Sequence, residues 1–106
     1  MLIAWTTLPD RPAAEKLAQM VIAEQLAVCV QVEGPIMSFY EWNGQLARSE
    51  EYRLQFKLLP EQATVLETRV MELHPYDIPE WLVLPVHHVS EKYLSWARAS
   101  STSSPL

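Results

Sequence analysis

The side chains best suited to metal ligation or proton transfer in this sequence are His74, His87, His88, Cys29 and a few carboxylates. His74 and Glu80 form a conceivable general acid–base pair. Around them there is no Ser/His/Asp ordering, no nucleophile elbow and no complete set of metal ligands, which argues against an enzyme. His87 and His88 are sequence neighbours. On an extended chain neighbours point to opposite faces, so the two do not readily chelate one ion together. Cys29 sits between Val28 and Val30, with no cationic neighbour to activate it, and reads as a small core residue. As the only cysteine it excludes an intramolecular disulfide and a four-thiolate zinc site.

Composition narrows the chemistry further. Gly34 and Gly44 are the only glycines, so no glycine-rich loop is present to cradle a phosphate. The formal net charge of −5, with no run of Lys or Arg, argues against a nucleic-acid partner and is compatible with cation binding. The first residues, Met1 to Thr7, have no basic region ahead of their apolar run and are not expected to be a signal peptide. No apolar stretch approaches the roughly 20 residues that span a bilayer. A cytoplasmic location with no membrane partner is the expectation.

The elements that must position these groups follow from periodicity. Leu2–Thr7 reads as a strand. Asp10 and Pro12 start a helix to about Gln25, with Ala14, Leu17, Ala18, Val21 and Ile22 on one face. Ala27–Val32 reads as a second strand, which Gly34-Pro35 interrupts with a bulge or bend before Ile36–Trp42 resumes it. Asn43-Gly44 is a strong hairpin signal because both turn positions require positive φ. The third strand alternates Tyr52, Leu54, Phe56 and Leu58 against Glu51, Arg53, Gln55 and Lys57. Pro60 opens a second helix with an apolar stripe of Ala63, Leu66, Val70 and Leu73, and the prolines of 74–80 end it. Trp81–Val86 is a fourth strand, placed at an edge by Pro85. Ser90 caps a short third helix containing Tyr93, Leu94 and Trp96. The order is that of an α+β, ferredoxin-like βαββαβ sandwich with an extra C-terminal helix. One domain over residues 1–98 and a flexible tail over 99–106 are expected.

Strands two and three, counted from the turn, reach about 14 residues each, or about 45 Å. The helices that would cover them reach only about 18–24 Å. The hairpin tip, with Ile36, Met37, Phe39, Tyr40 and Trp42, therefore outruns its cover. An apolar two-stranded ribbon invites pairing, and burial against another copy of the chain is the simplest resolution.

The segments Thr6-Thr7-Leu8-Pro9-Asp10, Leu26-Ala27-Val28-Cys29-Val30, Ser38-Phe39-Tyr40-Glu41-Trp42-Asn43-Gly44, His74-Pro75-Tyr76, Pro79-Glu80, Leu84-Pro85-Val86 and Tyr93-Leu94-Ser95-Trp96 together resemble the CutA divalent-cation tolerance family, in register over about residues 2–98. The resemblance implies a homotrimer similar to the PII regulators, with long hairpins pairing between neighbours and Glu51, Arg53, Gln55 and Lys57 near the trimer interior. It implies weak binding of Cu(II) or another divalent cation, no organic cofactor, and a part in the response to metal ions. Of the ligand positions that the family implies, this sequence keeps only His74; Thr6 and Leu73 stand where a cysteine and a second histidine would be. The resemblance also places Trp42, Glu51, Lys57, Tyr76 and Glu80 with His74 around a cleft between subunits, as a ligand site or a network of ion pairs. A signalling trimer that binds a small ligand in that cleft, or a scaffold for an unidentified protein partner, is the alternative.

Overall fold

In the computed structural model, which describes residues 1–101, the side chain of Asp10 accepts a hydrogen bond from the Ala13 amide at 2.8 Å. That bond caps helix α1, Arg11–Ala23, and Pro12 lies in its first turn, where its missing N–H costs nothing. Strand β1, Leu2–Leu8, precedes it. Strands β2, Cys29–Trp42, and β3, Gln45–Leu58, follow as the long hairpin, each 14 residues. Asn43 and Gly44 turn between them with φ of 52° and 75°, the left-handed pair that this loop length demands. A single 3₁₀ turn at Pro60–Gln62 leads into helix α2, Ala63–Leu73. Strand β4, Leu82–Pro85, and helix α3, Glu91–Ser101, complete the chain, with Ser90 Oγ accepting from the Tyr93 amide at the start of α3. Helix α3 thus runs past residue 98, and the rest of the expected tail, 102–106, lies outside the described residues.

The four strands form one antiparallel sheet in the order β2-β3-β1-β4, the ferredoxin-like arrangement expected from the sequence. The register breaks between Glu33 and Ile36, where Gly34 and a cis-linked Pro35 place the bulge. Pro85 ends the edge strand β4. Ala4 and Leu8 of β1 with Leu54, Phe56 and Leu58 of β3 meet Ala14, Leu17 and Val21 of α1 and Leu66 and Val70 of α2 in one core. Thr6 is buried on the same side of β1. Arg69 of α2 ties to Glu24, at the end of α1, by two hydrogen bonds of 2.8 and 2.9 Å. A smaller cluster of Val28, Leu59 and Ala97 seats α3. Cys29 is half-buried against this second cluster rather than in the main core, because it opens β2 where the sheet passes under α3.

Neither α1 nor α2 covers the opposite sheet face, and α3 reaches only its end at Cys29 and Lys57. Ile3 and Trp5 lie there beside Leu84 and Leu82 of β4, their partners in register. Trp5 Nε1 donates to Gln55 at 2.8 Å, Gln55 donates to Gln31 at 3.1 Å, and Arg53 pairs with Glu33 at 3.2 Å with its guanidinium 5.0 Å from the Trp5 ring centre. The hairpin extends beyond α1 and α2, giving the chain dimensions of 51 × 27 × 23 Å. At its far end Phe39 is 62% exposed and Leu46 is 80% exposed, so the tip does not fold back onto its own domain.

Candidate functional site

Leu73 ends α2, and His74 leaves the helix in an extended conformation, ψ 134°, that turns its ring back toward β1. There Nε2 lies 2.9 Å from the Thr7 carbonyl oxygen and 3.0 Å from the Thr6 hydroxyl. Nδ1 accepts the Tyr76 amide at 3.1 Å. A carbonyl only accepts and an amide only donates, so Nε2 carries the proton and the ring is neutral. Burial pushes the imidazole below its ordinary pKa, against the opposing pull of the Thr7 carbonyl and the charge of Glu51.

Tyr76 continues the chain across the end of β1. Its ring lies 4.9 Å from that of His74, and its hydroxyl donates to Glu51 Oε2 at 2.9 Å. Burial raises the phenol's pKa, and the hydrogen bond to Glu51 and that residue's charge raise it further. Glu51 is itself only 9% exposed, although it lies on the polar face of β3. The segment from Pro75 to Glu80 and the inner side of the hairpin enclose an open concavity of about 980 Å³.

Trp42, Glu51, Tyr76 and Glu80 all line this concavity, so the structure brings together four of the six residues assigned to the cleft, while His74 packs on the Tyr76 ring outside the lining. Lys57 is not among them. It lies farther along β3 beside Tyr93, its ammonium 6.0 Å from that ring, in a smaller pocket that also includes Ile3 and His88. The separation follows from the length of β3: six residues of extended chain carry Lys57 about 20 Å beyond Glu51. Tyr40, Ser49 and Asp77 also line the concavity and were not assigned to it from sequence. Period-two spacing is the signal that points to two of them, since Tyr40 lies two residues from Trp42 and Ser49 two from Glu51 on their strands.

The donor set does not fit a tight divalent-metal site. Thr6 and His74 do meet, but both ring nitrogens of His74 are engaged by protein groups. Among the described residues no three His, Cys, Asp or Glu side chains are grouped so as to hold a metal ion. His87 and His88 are exposed beyond β4. No helix among the described residues is long and apolar enough to cross a membrane.

Comparison with known proteins gives this geometry its context. The chain is 39% identical over 99 residues to the divalent-cation tolerance protein CutA of Yersinia pestis, covering 93% of this chain and 83% of that protein. Its fold superposes on CutA from Synechococcus elongatus with a TM-score of 0.92 at 37% identity, covering 95% of this chain and 89% of the other. For CutA from Xylella fastidiosa the TM-score is 0.89 at 30% identity, covering 93% and 95%. The family model described as CutA1 divalent ion tolerance protein matches residues 2–100, and with that match over nearly the whole sheet-and-helix unit the chain belongs to the CutA1 family.

Proposed function

We propose that this protein acts in the cytosolic response to divalent cations as a homotrimer, that its contact with Cu(II) or another divalent ion is weak, and that it catalyses no reaction. The observation that carries this reading is the closure of His74. The one histidine kept at the implied ligand positions already spends both nitrogens on Thr7 and Tyr76, so tolerance here does not run through tight sequestration by the subunit. Assembly is supported by two exposed apolar surfaces: Leu82 and Leu84 on the edge strand, and the hairpin tip. The family's description concerns ion tolerance and names no reaction.

Native mass spectrometry with and without Cu(II) tests the whole reading. A trimer that takes up copper reversibly and without fixed stoichiometry is expected. A lone subunit, or one ion retained per chain through dilution, would refute it.

A second reading, a ligand-sensing trimer of PII type, is favoured by the concavity between the hairpin and the 75–80 segment. Converging polar groups in a partly aromatic recess are the usual form of a small-molecule site.

A further inference from the structure

The concavity has a definite electrostatic sign. Its acidic lining residues are Glu51, Asp77 and Glu80, and among the described residues no Lys, Arg or His lines it. Tyr40, Trp42 and Tyr76 supply aromatic walls between the carboxylates. Glu51 is nine-tenths buried, which is costly for a carboxylate unless its oxygens are satisfied. The Tyr76 hydroxyl donates to Oε2, and Glu51 is one of the residues that line the recess.

A bare metal ion is the wrong occupant. Hard cations need several oxygens converging at little more than 2 Å, roughly six or more for calcium. The three carboxylates here do not form such a group. A cation with a carbon body suits the same lining, since it can reach separated carboxylates and lay its methyl or methylene surface on the rings. The negative face of each ring attracts the charge that those carbons carry. A recess of about 980 Å³ has ample room for it.

We propose that this concavity binds a small organic cation, an amine or quaternary ammonium, with Glu51 as counter-ion and the Trp42 and Tyr76 rings as walls. The assignment rests on the second reading above and supplies its ligand class. Tyr76 is a positioning residue as well as a wall: its hydroxyl holds one oxygen of the Glu51 carboxylate.

Calorimetric titration of the assembled full chain with choline, its uncharged carbon isostere, Mg(II) and inorganic phosphate tests it. Saturable choline binding is expected, at least about tenfold tighter than the isostere's, because the charge supplies the attraction to carboxylate and ring. Glu51→Gln keeps an acceptor for Tyr76 and should weaken choline about tenfold with no effect on the isostere. Trp42→Leu, verified by sedimentation to keep the parent's assembly, should also weaken choline. Equal binding of choline and isostere, choline binding unmoved by Glu51→Gln, or uptake of only Mg(II) or phosphate would overturn the ligand class while leaving a ligand cleft standing. If no probe binds, the class and the sensing reading fall together.

Discussion

The Thr6 hydroxyl and His74 Nε2 lie 3.0 Å apart although 68 positions separate them in the chain. Their meeting locks the end of α2 onto β1 and spends an imidazole on structure. Because Nε2 also contacts the Thr7 carbonyl and Nδ1 accepts the Tyr76 amide, protonation of the ring would force a donor against a donor.

A pH dependence of stability follows. The folded-state pKa of His74 lies below the ordinary imidazole value of about 6.5, so the unfolded chain takes up the proton first as pH falls. The contribution from His74 is complete above about pH 6.5 and is lost below it, down to the folded-state value. Denaturant midpoints at fixed subunit concentration, measured from pH 8 to about 5, should fall through that window, and His74→Gln should flatten this component. Equal slopes in the two proteins would show that His74 is not the group responsible.

The same geometry bears on copper. Thr6→Cys combined with Leu73→His adds a thiolate and a second imidazole beside His74, and thiolates and imidazoles are the donors that copper and zinc prefer. Cu(II) affinity of the double variant should exceed that of the parent by roughly tenfold or more, read by competition with a coloured chelator. Unchanged affinity would mean that these positions do not converge on an ion even when filled.

The two glycines predict opposite kinds of cost. A Cβ at Gly44 would meet nothing within 4 Å, yet φ is +75°, so Gly44→Ala should cost only the left-handed backbone penalty of about 1–2 kcal/mol. At Gly34 the added carbon would lie 2.6 Å from the Tyr52 ring and 3.1 Å from the Glu51 carbonyl oxygen, with φ +147°. Gly34→Ala should be the more destabilising of the two and should perturb Tyr52, read by chemical denaturation and tyrosine fluorescence. A smaller effect at Gly34 would be the contrary result.

Leu84 and Leu82 stand 43% and 49% exposed on the edge strand, on the sheet face away from α1 and α2. If the proposed trimer uses this face, placing charge there, as Leu82→Lys with Leu84→Lys, should dissociate it in sedimentation velocity while far-ultraviolet circular dichroism keeps its α+β shape. An intact oligomer in that variant would move the interface elsewhere.

Much of the architecture was legible in the residues. The alternation of β3, the left-handed requirement at Asn43-Gly44, the Asp10 cap and the proline at the end of β4 each report a local rule, and local rules act on neighbours in sequence. The length of the hairpin followed from the same counting, and with it the exposed tip. Tertiary structure alone decided which groups share a site. It buried Glu51 on a face that reads as polar, joined it to Tyr76, carried Lys57 away from both, and closed His74 on Thr6 and Thr7. Those outcomes depend on where a loop crosses the end of a strand, and spacing along the chain does not encode a distance across it.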